Sequence, residues 1–375
     1  MSQVAIKKCS DYEPQNVQRA VEEAVSLLGG IEKFVKPAQK VLIKPNLLSA
    51  RPPEDGVCTH PEVVRAVIRL AKQQTSNIYV GDSPGGFEVK ASDIIYEASG
   101  MTKVCQEEAV NLVKFDSVET IDGLPIAKVV KEVDVIINVP KMKTHNLAGL
   151  TGAVKNMFGA VVGKYKAEMH FKYPKVEDFC EFIVDVFSHV KPQLSIMDGI
   201  VGMDGNGPAA GRLRNLGLVL ASPDAVALDA VFAEIAGLKP LDVLTTRLAD
   251  ARSLGTGRIP DIEILGERLE EARIRDFIVP EGSLIYKMPD WVIKFFGTLI
   301  RSYPVINKVI CEDCRICEKN CPAGVITIDK HYIDHSKCIF CFCCTELCPH
   351  NAMEVKKTFM VGILFLMKIK IVRSM

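Results

Sequence analysis

Apolar residues over roughly the first 285 positions recur at two alternating periods, one suited to strands and one to helices. Val4–Lys7 is a short apolar run and predicts a strand. Asn16–Leu28 carries Val17, Val21 and Val25 at helical spacing and stops at Gly29 and Gly30, a C-terminal glycine signal. Val41–Lys44 predicts a strand, and Pro61–Gln73 a helix with Thr59 as its cap. Asn77–Val80 reads as a strand, Ala91–Ser99 as a helix and Val133–Val139 as a strand. A helix over Val176–Val190 precedes strands at Gln193–Met197 and Leu216–Leu220. Pro223–Ala236 is the next helix, and Ile262–Leu265 the last strand. This alternation predicts an α/β fold, a mostly parallel sheet with helices on both faces.

Open α/β sheets bind ligands beyond the carboxyl ends of their strands. Polar clusters follow several of the predicted strands: Lys44-Pro45-Asn46, Gly81-Asp82-Ser83-Pro84-Gly85-Gly86, Pro140-Lys141-Met142-Lys143-Thr144-His145 and Asp198-Gly199. Gly152-Ala153-Val154-Lys155-Asn156 and Gly205-Asn206-Gly207-Pro208 come after them. Read functionally, they form an anion site. Lys44, Lys141, Lys143 and Lys155 supply charge, Asn46 and Asn156 hydrogen bonds, and the glycine turns backbone N–H donors. Asp82, Lys141, Lys143, His145 and Asp198 are the candidates for catalysis. His145, His170, Asp82, Asp198 and Asp204 would make a metal or acid–base set, but no H-x-x-x-H pair occurs among them and a lone histidine more often serves its loop. The plainer reading is that Gly, Pro, Asn and Asp serve turn geometry in each loop separately. Several such loops at one sheet edge favour a site. Two nucleotide-like strings fail. Gly159 to Tyr165 is one residue short of a P-loop and lacks its Ser/Thr, and no helical pattern follows Gly205 to Ala210.

Charge narrows the partners. Lys plus Arg and Asp plus Glu are equal at 46 each, so composition argues neither for nucleic acid nor for electrostatic membrane attachment. The longest uncharged apolar run near the end, Phe359–Met367, has nine residues, against about 20 for a spanning helix. That run and Trp291–Ile300 are expected to pack on the protein's own surface rather than in a membrane interface. The N-terminus has no apolar signal region. Together with 13 cysteines, an odd number, this points to a reducing cytoplasm.

The cysteines carry the strongest chemistry. Two runs of C-x₂-C-x₂-C-x₃-C-P lie near the C-terminus, and corresponding cysteines are 27 residues apart: Cys311, Cys314, Cys317, Cys321 and then Cys338, Cys341, Cys344, Cys348. This is the run of bacterial two-cluster ferredoxins, in which the fourth cysteine of each run ligates the other cluster. The expected ligand sets are therefore Cys311, Cys314, Cys317 and Cys348 for one [4Fe–4S] cluster, and Cys338, Cys341, Cys344 and Cys321 for the other. Structural zinc, which also uses C-x₂-C pairs, fits these runs poorly. Cys343 has Ile316 as its counterpart and is expected to be a buried thiol beside a cluster rather than a ligand. Cys9, Cys58, Cys105 and Cys180 read as small core residues.

The series Lys44-Pro45-Asn46, Gly81 to Gly85, Pro140 to His145 and Gly152 to Asn156 resembles the successive motifs of the DUF362 family, whose members often carry a C-terminal ferredoxin module. Cys338 to Pro349 is similar to the second cluster loop of that family, extra cysteine included. Arg315 and Phe342 depart from common ferredoxin loops, where glycine often sits. The resemblance implies an iron–sulfur protein and supplies no substrate.

The expected organisation is an α/β domain over 1–285, a connector over 286–304, a 2[4Fe–4S] ferredoxin-type domain over 305–357 and an apolar, basic tail over 358–375. Two functions compete. In one, the α/β domain is an enzyme that binds a small anionic substrate, and the clusters exchange electrons with a redox partner protein. In the other, the chain is a non-catalytic electron carrier or maturation factor whose α/β domain docks a protein. Converging polar loops favour the first. The lack of a flavin, nicotinamide or molybdenum motif favours the second, because such clusters pass single electrons.

Overall fold

The computed structural model describes residues 1–84, 89–279 and 302–357. Gly85, Gly86, most of the expected connector with Trp291–Ile300, and the tail with Phe359–Met367 lie outside them. The first part of the chain runs β1 (Ser2–Lys8), α1 (Pro14–Leu27), β2 (Val41–Pro45), α2 (Pro61–Lys72), β3 (Ile78–Val80), α3 (Val89–Ala98), α4 (Met101–Glu107) and β4 (Asn111–Leu112). Next come β5 (Val118–Ile121), β6 (Leu124–Ala127), α5 (Lys128–Glu132), β7 (Val135–Val139), β8 (Lys141–His145), β9 (Gly149–Thr151), α6 (Ala153–Asn156), α7 (Gly163–Lys172) and α8 (Val176–His189). The α/β domain closes with β10 (Leu194–Asp204), β11 (Arg212–Ser222), α9 (Ala225–Ile235), α10 (Leu244–Ala251), β12 (Ile262–Gly266) and α11 (Leu269–Ala272).

One sheet has the order β12-β1-β11-β10-β7-β2-β3-β4, with β8 paired to β10 and β9 to β8. Pairing is parallel along β10-β7-β2-β3-β4 and between β1 and β12, as the strand–helix alternation predicts. Helices cover both faces. Val17 and Val21 of α1 pack with Val63 and Val67 of α2 on one side. Phe179, Ile183 and Phe187 of α8 pack with Val226 and Val231 of α9 on the other.

Three local expectations differ from the structure. First, β11 is antiparallel to both neighbours, because it returns from β10 as a hairpin; the apolar pattern carries no direction. Second, Pro140 to His145, expected as a loop, contains a buried strand, β8. The partners that bury its lysines, Asp198 and the Val57 carbonyl, are distant in sequence. Third, His60 rather than Thr59 caps α2, with its Nδ1 accepting the Glu62 N–H at 3.2 Å. The Thr59 hydroxyl instead donates to the Val139 carbonyl and accepts from Asn46 N–H, tying two strand ends together.

The C-terminal part is small: β13 (Ser302–Ile306), α12 (Ile316–Lys319), β14 (Ile326–Thr327), β15 (Tyr332–Ile333), α13 (Cys343–Leu347) and β16 (Met353–Lys357). β13 pairs with β16 and β14 with β15, both antiparallel. The backbone repeats itself here. Asp313 and Phe340, Arg315 and Phe342, and Gly324 and Asn351 all have positive φ, between 52° and 63°. Arg315 and Phe342 therefore occupy the left-handed conformation that explains why glycine is common at these positions. No helix among the described residues is long and apolar enough to cross a membrane.

Candidate functional site between two modules

The polar residues at the sheet edge divide into those with internal partners and those facing a cavity. Lys44 Nζ lies 2.7 Å from Asp82 Oδ1, both groups fully buried. Asp82 also accepts the N–H of Leu47 and of Ser83. Burial lowers the Lys44 ammonium, and Asp82 opposes that shift. Gly159 closes over this pair, and a Cβ there would sit 2.1 Å from Asp82 Oδ1. Lys141 Nζ donates to Asp198 Oδ2 and to the Tyr12 hydroxyl, each at 2.7 Å. Tyr12 in turn donates to Asp198 Oδ1 and stacks on His60 at 3.6 Å. Asp198 also accepts the His60 N–H. Lys143 donates to the Val57 carbonyl at 2.5 Å, and burial carries its ammonium down to about 7. Asp204 accepts Arg212 and Arg214 from β11.

Beyond this layer is a cavity of about 80 Å³. The α/β domain contributes His145, Thr151, Lys155, Lys166 and His170; the C-terminal module contributes Asn320, Cys343 and Glu346. Among the described residues Lys155 has no ion pair or hydrogen bond at its Nζ, and burial lowers its ammonium. Lys166 donates to the Ser83 carbonyl and lies over the Phe158 ring, and burial brings it to about 7. Burial also lowers His145 and His170 to about 4, so both imidazoles are neutral near pH 7. His145 Nδ1 accepts the N–H of Leu147 and of Ala148, which puts its proton on Nε2. That nitrogen stands 3.2 Å from Glu346 Oε1, outside good hydrogen-bond geometry. Burial works to raise the Glu346 carboxyl, yet His145 and Lys155 hold it down at about 2. His170 stacks on Phe179 at 4.2 Å. Among the described residues Glu346 is the one carboxylate lining the cavity besides Asp82, which is offset by Lys44, and Glu346 faces Lys155 and Lys166 there.

Local structure aims these groups. Asp229 of α9 accepts the N–H of Ala153 and of Val154 and so holds the start of α6, which carries Lys155 and Asn156. A Cβ on Gly152 would lie 2.1 Å from Asp229 Oδ1, so this approach requires glycine. A relay of amides then reaches the cavity wall. Asn138 donates to the Ala153 carbonyl, Asn156 donates to Asn138 at 2.7 Å, and Asn46 donates to Asn156 at 3.1 Å.

The C-terminal cysteines gather in two neighbourhoods. All 13 cysteines of the chain are free thiols. Burial raises the Cys317 thiol, and Cys348, Cys314 and Cys311 add to the shift. Burial also raises Cys344, and Cys341, Cys338, Cys321 and then Cys317 add to the shift. Backbone N–H groups of Phe340 and Ala352 donate to Cys338 and Cys348 sulfurs at 3.4 and 3.2 Å. Such a set, thiols gathered without disulfides and with amides aimed at sulfur, fits iron–sulfur ligation. Cys314 is exposed, whereas Cys344 and Cys348 are buried. Cys343 is buried and lines the cavity next to Cys344.

Of the residues singled out from sequence, Asn46, Asp82, His145, His170, Lys155 and Asn156 come together around the cavity. Lys44, Lys141, Lys143 and Asp198 do not line it; they satisfy one another or the backbone beneath it, and Asp204 belongs to the β10–β11 hairpin. Lys166, Thr151 and Glu346 were not anticipated. Lys166 and His170 are four apart on α7, a spacing that puts both on one helix face and was visible in the sequence. Glu346 carried no such signal, since its partner His145 is far away in the chain.

Comparison with known proteins gives the family. Residues 41–234 match the domain of unknown function DUF362. The thylakoid-associated protein sll1697 of Synechocystis sp. is 36% identical over 250 residues, 64% of this chain and 77% of that protein. A subunit of the ion-translocating oxidoreductase complex of Methanosarcina acetivorans is 40% identical over 53 residues, 14% of this chain and 20% of that one. That match falls in the C-terminal region, where similarity to ferredoxin-type 4Fe–4S subunits makes this an iron–sulfur module. Among solved structures, the lactate racemase apoprotein of Thermoanaerobacterium thermosaccharolyticum aligns with a TM-score of 0.40 and 12% identity, covering 64% of this chain and 58% of its own.

Proposed function

The chain belongs to the DUF362 family, and from that premise we propose that it binds two [4Fe–4S] clusters and exchanges electrons between a redox partner protein and a small anionic substrate in the cavity between its modules. Cys311, Cys314, Cys317 and Cys348 would hold one cluster, and Cys338, Cys341, Cys344 and Cys321 the other. Each cluster, when bound, supplies or accepts one electron at a time. The observation that carries the reading is the shared lining. Cations of the α/β domain and residues flanking the second ligand set meet in one cavity. Lys155 and Lys166 bind and orient the anion; Phe158 and Leu347 restrict water. The partner protein meets the module where Cys314 is exposed. The neutral His145 keeps its proton on Nε2, and His170 presents a second neutral imidazole. The free thiols accord with a reducing cytoplasm.

Lys44, Lys141 and Lys143 have internal partners, which favours a second reading: a non-catalytic carrier or maturation factor whose α/β domain docks a protein. Anaerobic preparation decides between them. Two clusters require about eight iron and eight sulfide per chain, and stoichiometric zinc without sulfide would exclude them. Small anions retained on purification, with binding weakened by about tenfold or more in Lys155→Met, support the substrate reading. No anion binding, together with intact clusters, leaves the carrier.

A further inference from the structure

Arg51 belongs to the loop after β2, yet its side chain, 6% exposed, is buried against the C-terminal module. Its Nη2 donates to the Cys348 carbonyl at 2.7 Å and to the Asn351 side-chain oxygen. Nη1 lies 3.2 Å from Asp55, a carboxylate 38% exposed and therefore screened by solvent. Nε is buried and has no partner among the described residues. A desolvated cation with one screened counter-charge and an unused donor is expensive unless another negative group faces it. Cys348 points to that group. It is the fourth ligand assigned above to the set of Cys311, Cys314 and Cys317.

We infer that Arg51 holds up the reduction potential of the cluster bound by Cys311, Cys314, Cys317 and Cys348, acting through its fixed charge beside Cys348. The inference rests on the two-cluster reading. A [4Fe–4S] centre with four thiolates is anionic and gains a further negative charge on reduction. A cation buried beside a ligand stabilises the reduced form more than the oxidised one. Arg51 meets the module at Cys348 and Asn351, and a fixed charge acts more weakly with distance, so the cluster ligated by Cys348 feels it most. It is a positioning and potential-setting residue and touches no reacting atom of a substrate.

The test is a redox titration of the anaerobic full-length protein followed by EPR, with Cys314→Ser identifying the signal of the first ligand set. Arg51→Gln is expected to weaken reduction of that cluster by about tenfold, about 59 mV for one electron, and to leave the other in place. Arg51→Lys should retain most of the potential. Asp55→Asn removes the counter-charge and should shift the same midpoint upward while the module remains docked. Equal shifts in both clusters, or none in either variant, would make Arg51 a mechanical tie and overturn the inference. If Arg51→Gln loses iron, Asp55→Asn decides alone, an unmoved midpoint counting against the idea. Iron and sulfide for one cluster or none would instead sink the two-cluster reading itself, and this inference with it.

Discussion

At the scale of the residue, lysines of similar appearance in the sequence have different physical roles. Lys44 and Lys141 are buried against Asp82 and Asp198, so their charges are matched inside the fold. Removing one partner of such a pair leaves an uncompensated buried charge, typically at a cost of about 3–5 kcal/mol. Asp82→Ala should therefore lower the denaturant midpoint strongly, whereas Lys155→Met should change stability little; equal stability of the two variants would contradict the division. His170 offers a pH test. Burial takes its imidazole from 6.5 down to about 4, so the unfolded chain binds the proton first as pH falls. Stability is thus fully present above 6.5 and is lost as pH falls toward 4. Between about pH 7 and about pH 5 the share of this residue is on the order of 2 kcal/mol. His170→Phe keeps the aromatic contact with Phe179 and should flatten the acid side of the stability profile by that amount. An unchanged slope would mean the imidazole is solvated.

At the scale of the element, period and spacing made much legible. Valines at helical spacing identified α1, and the strand–helix alternation identified the parallel core from β2 to β10. What stayed hidden depends on partners distant in sequence. The strand β8 looked like a loop because Lys141, Lys143 and His145 are polar, yet at period two they share one face and meet Asp198, the Val57 carbonyl and Glu346. Likewise, nothing near Gly152 announces that Asp229 caps α6. The cysteine loops are the opposite case, since ligand chemistry fixes local spacing. Their crossed assignment makes a sharp prediction. Cys321→Ala should remove the EPR signal of the cluster held by Cys338, Cys341 and Cys344, sparing that of its own run. Cys343→Ala should spare both. Loss of a cluster in Cys343→Ala alone would shift the ligand register.

At the scale of the whole molecule, the cavity joins two modules that follow one another in the sequence with no sign of a contact between them. Asn320, Cys343 and Glu346 lie within two residues of Cys321 and Cys344, so a ligand there sits beside the second cysteine set. On the two-cluster reading, reduction of a cluster held by that set would add a negative charge to one wall, while Lys155 and Lys166 stand on the other. An anion must then bind more weakly to the reduced protein. Reciprocity requires the same anion to make that cluster harder to reduce by the same factor. For charges on the order of 10 Å apart at an effective dielectric of about 20, the coupling is roughly 1.7 kcal/mol, somewhat more than tenfold. Titrating phosphate into oxidised and dithionite-reduced protein measures one side of the cycle, and redox titration with and without saturating phosphate measures the other. The expected midpoint shift is negative, larger for the cluster of Cys338, Cys341 and Cys344, and lost in Lys155→Met. Equal phosphate affinity in both redox states would separate the cavity from the clusters, leaving the α/β domain as a docking platform with no electronic contact to its ligand.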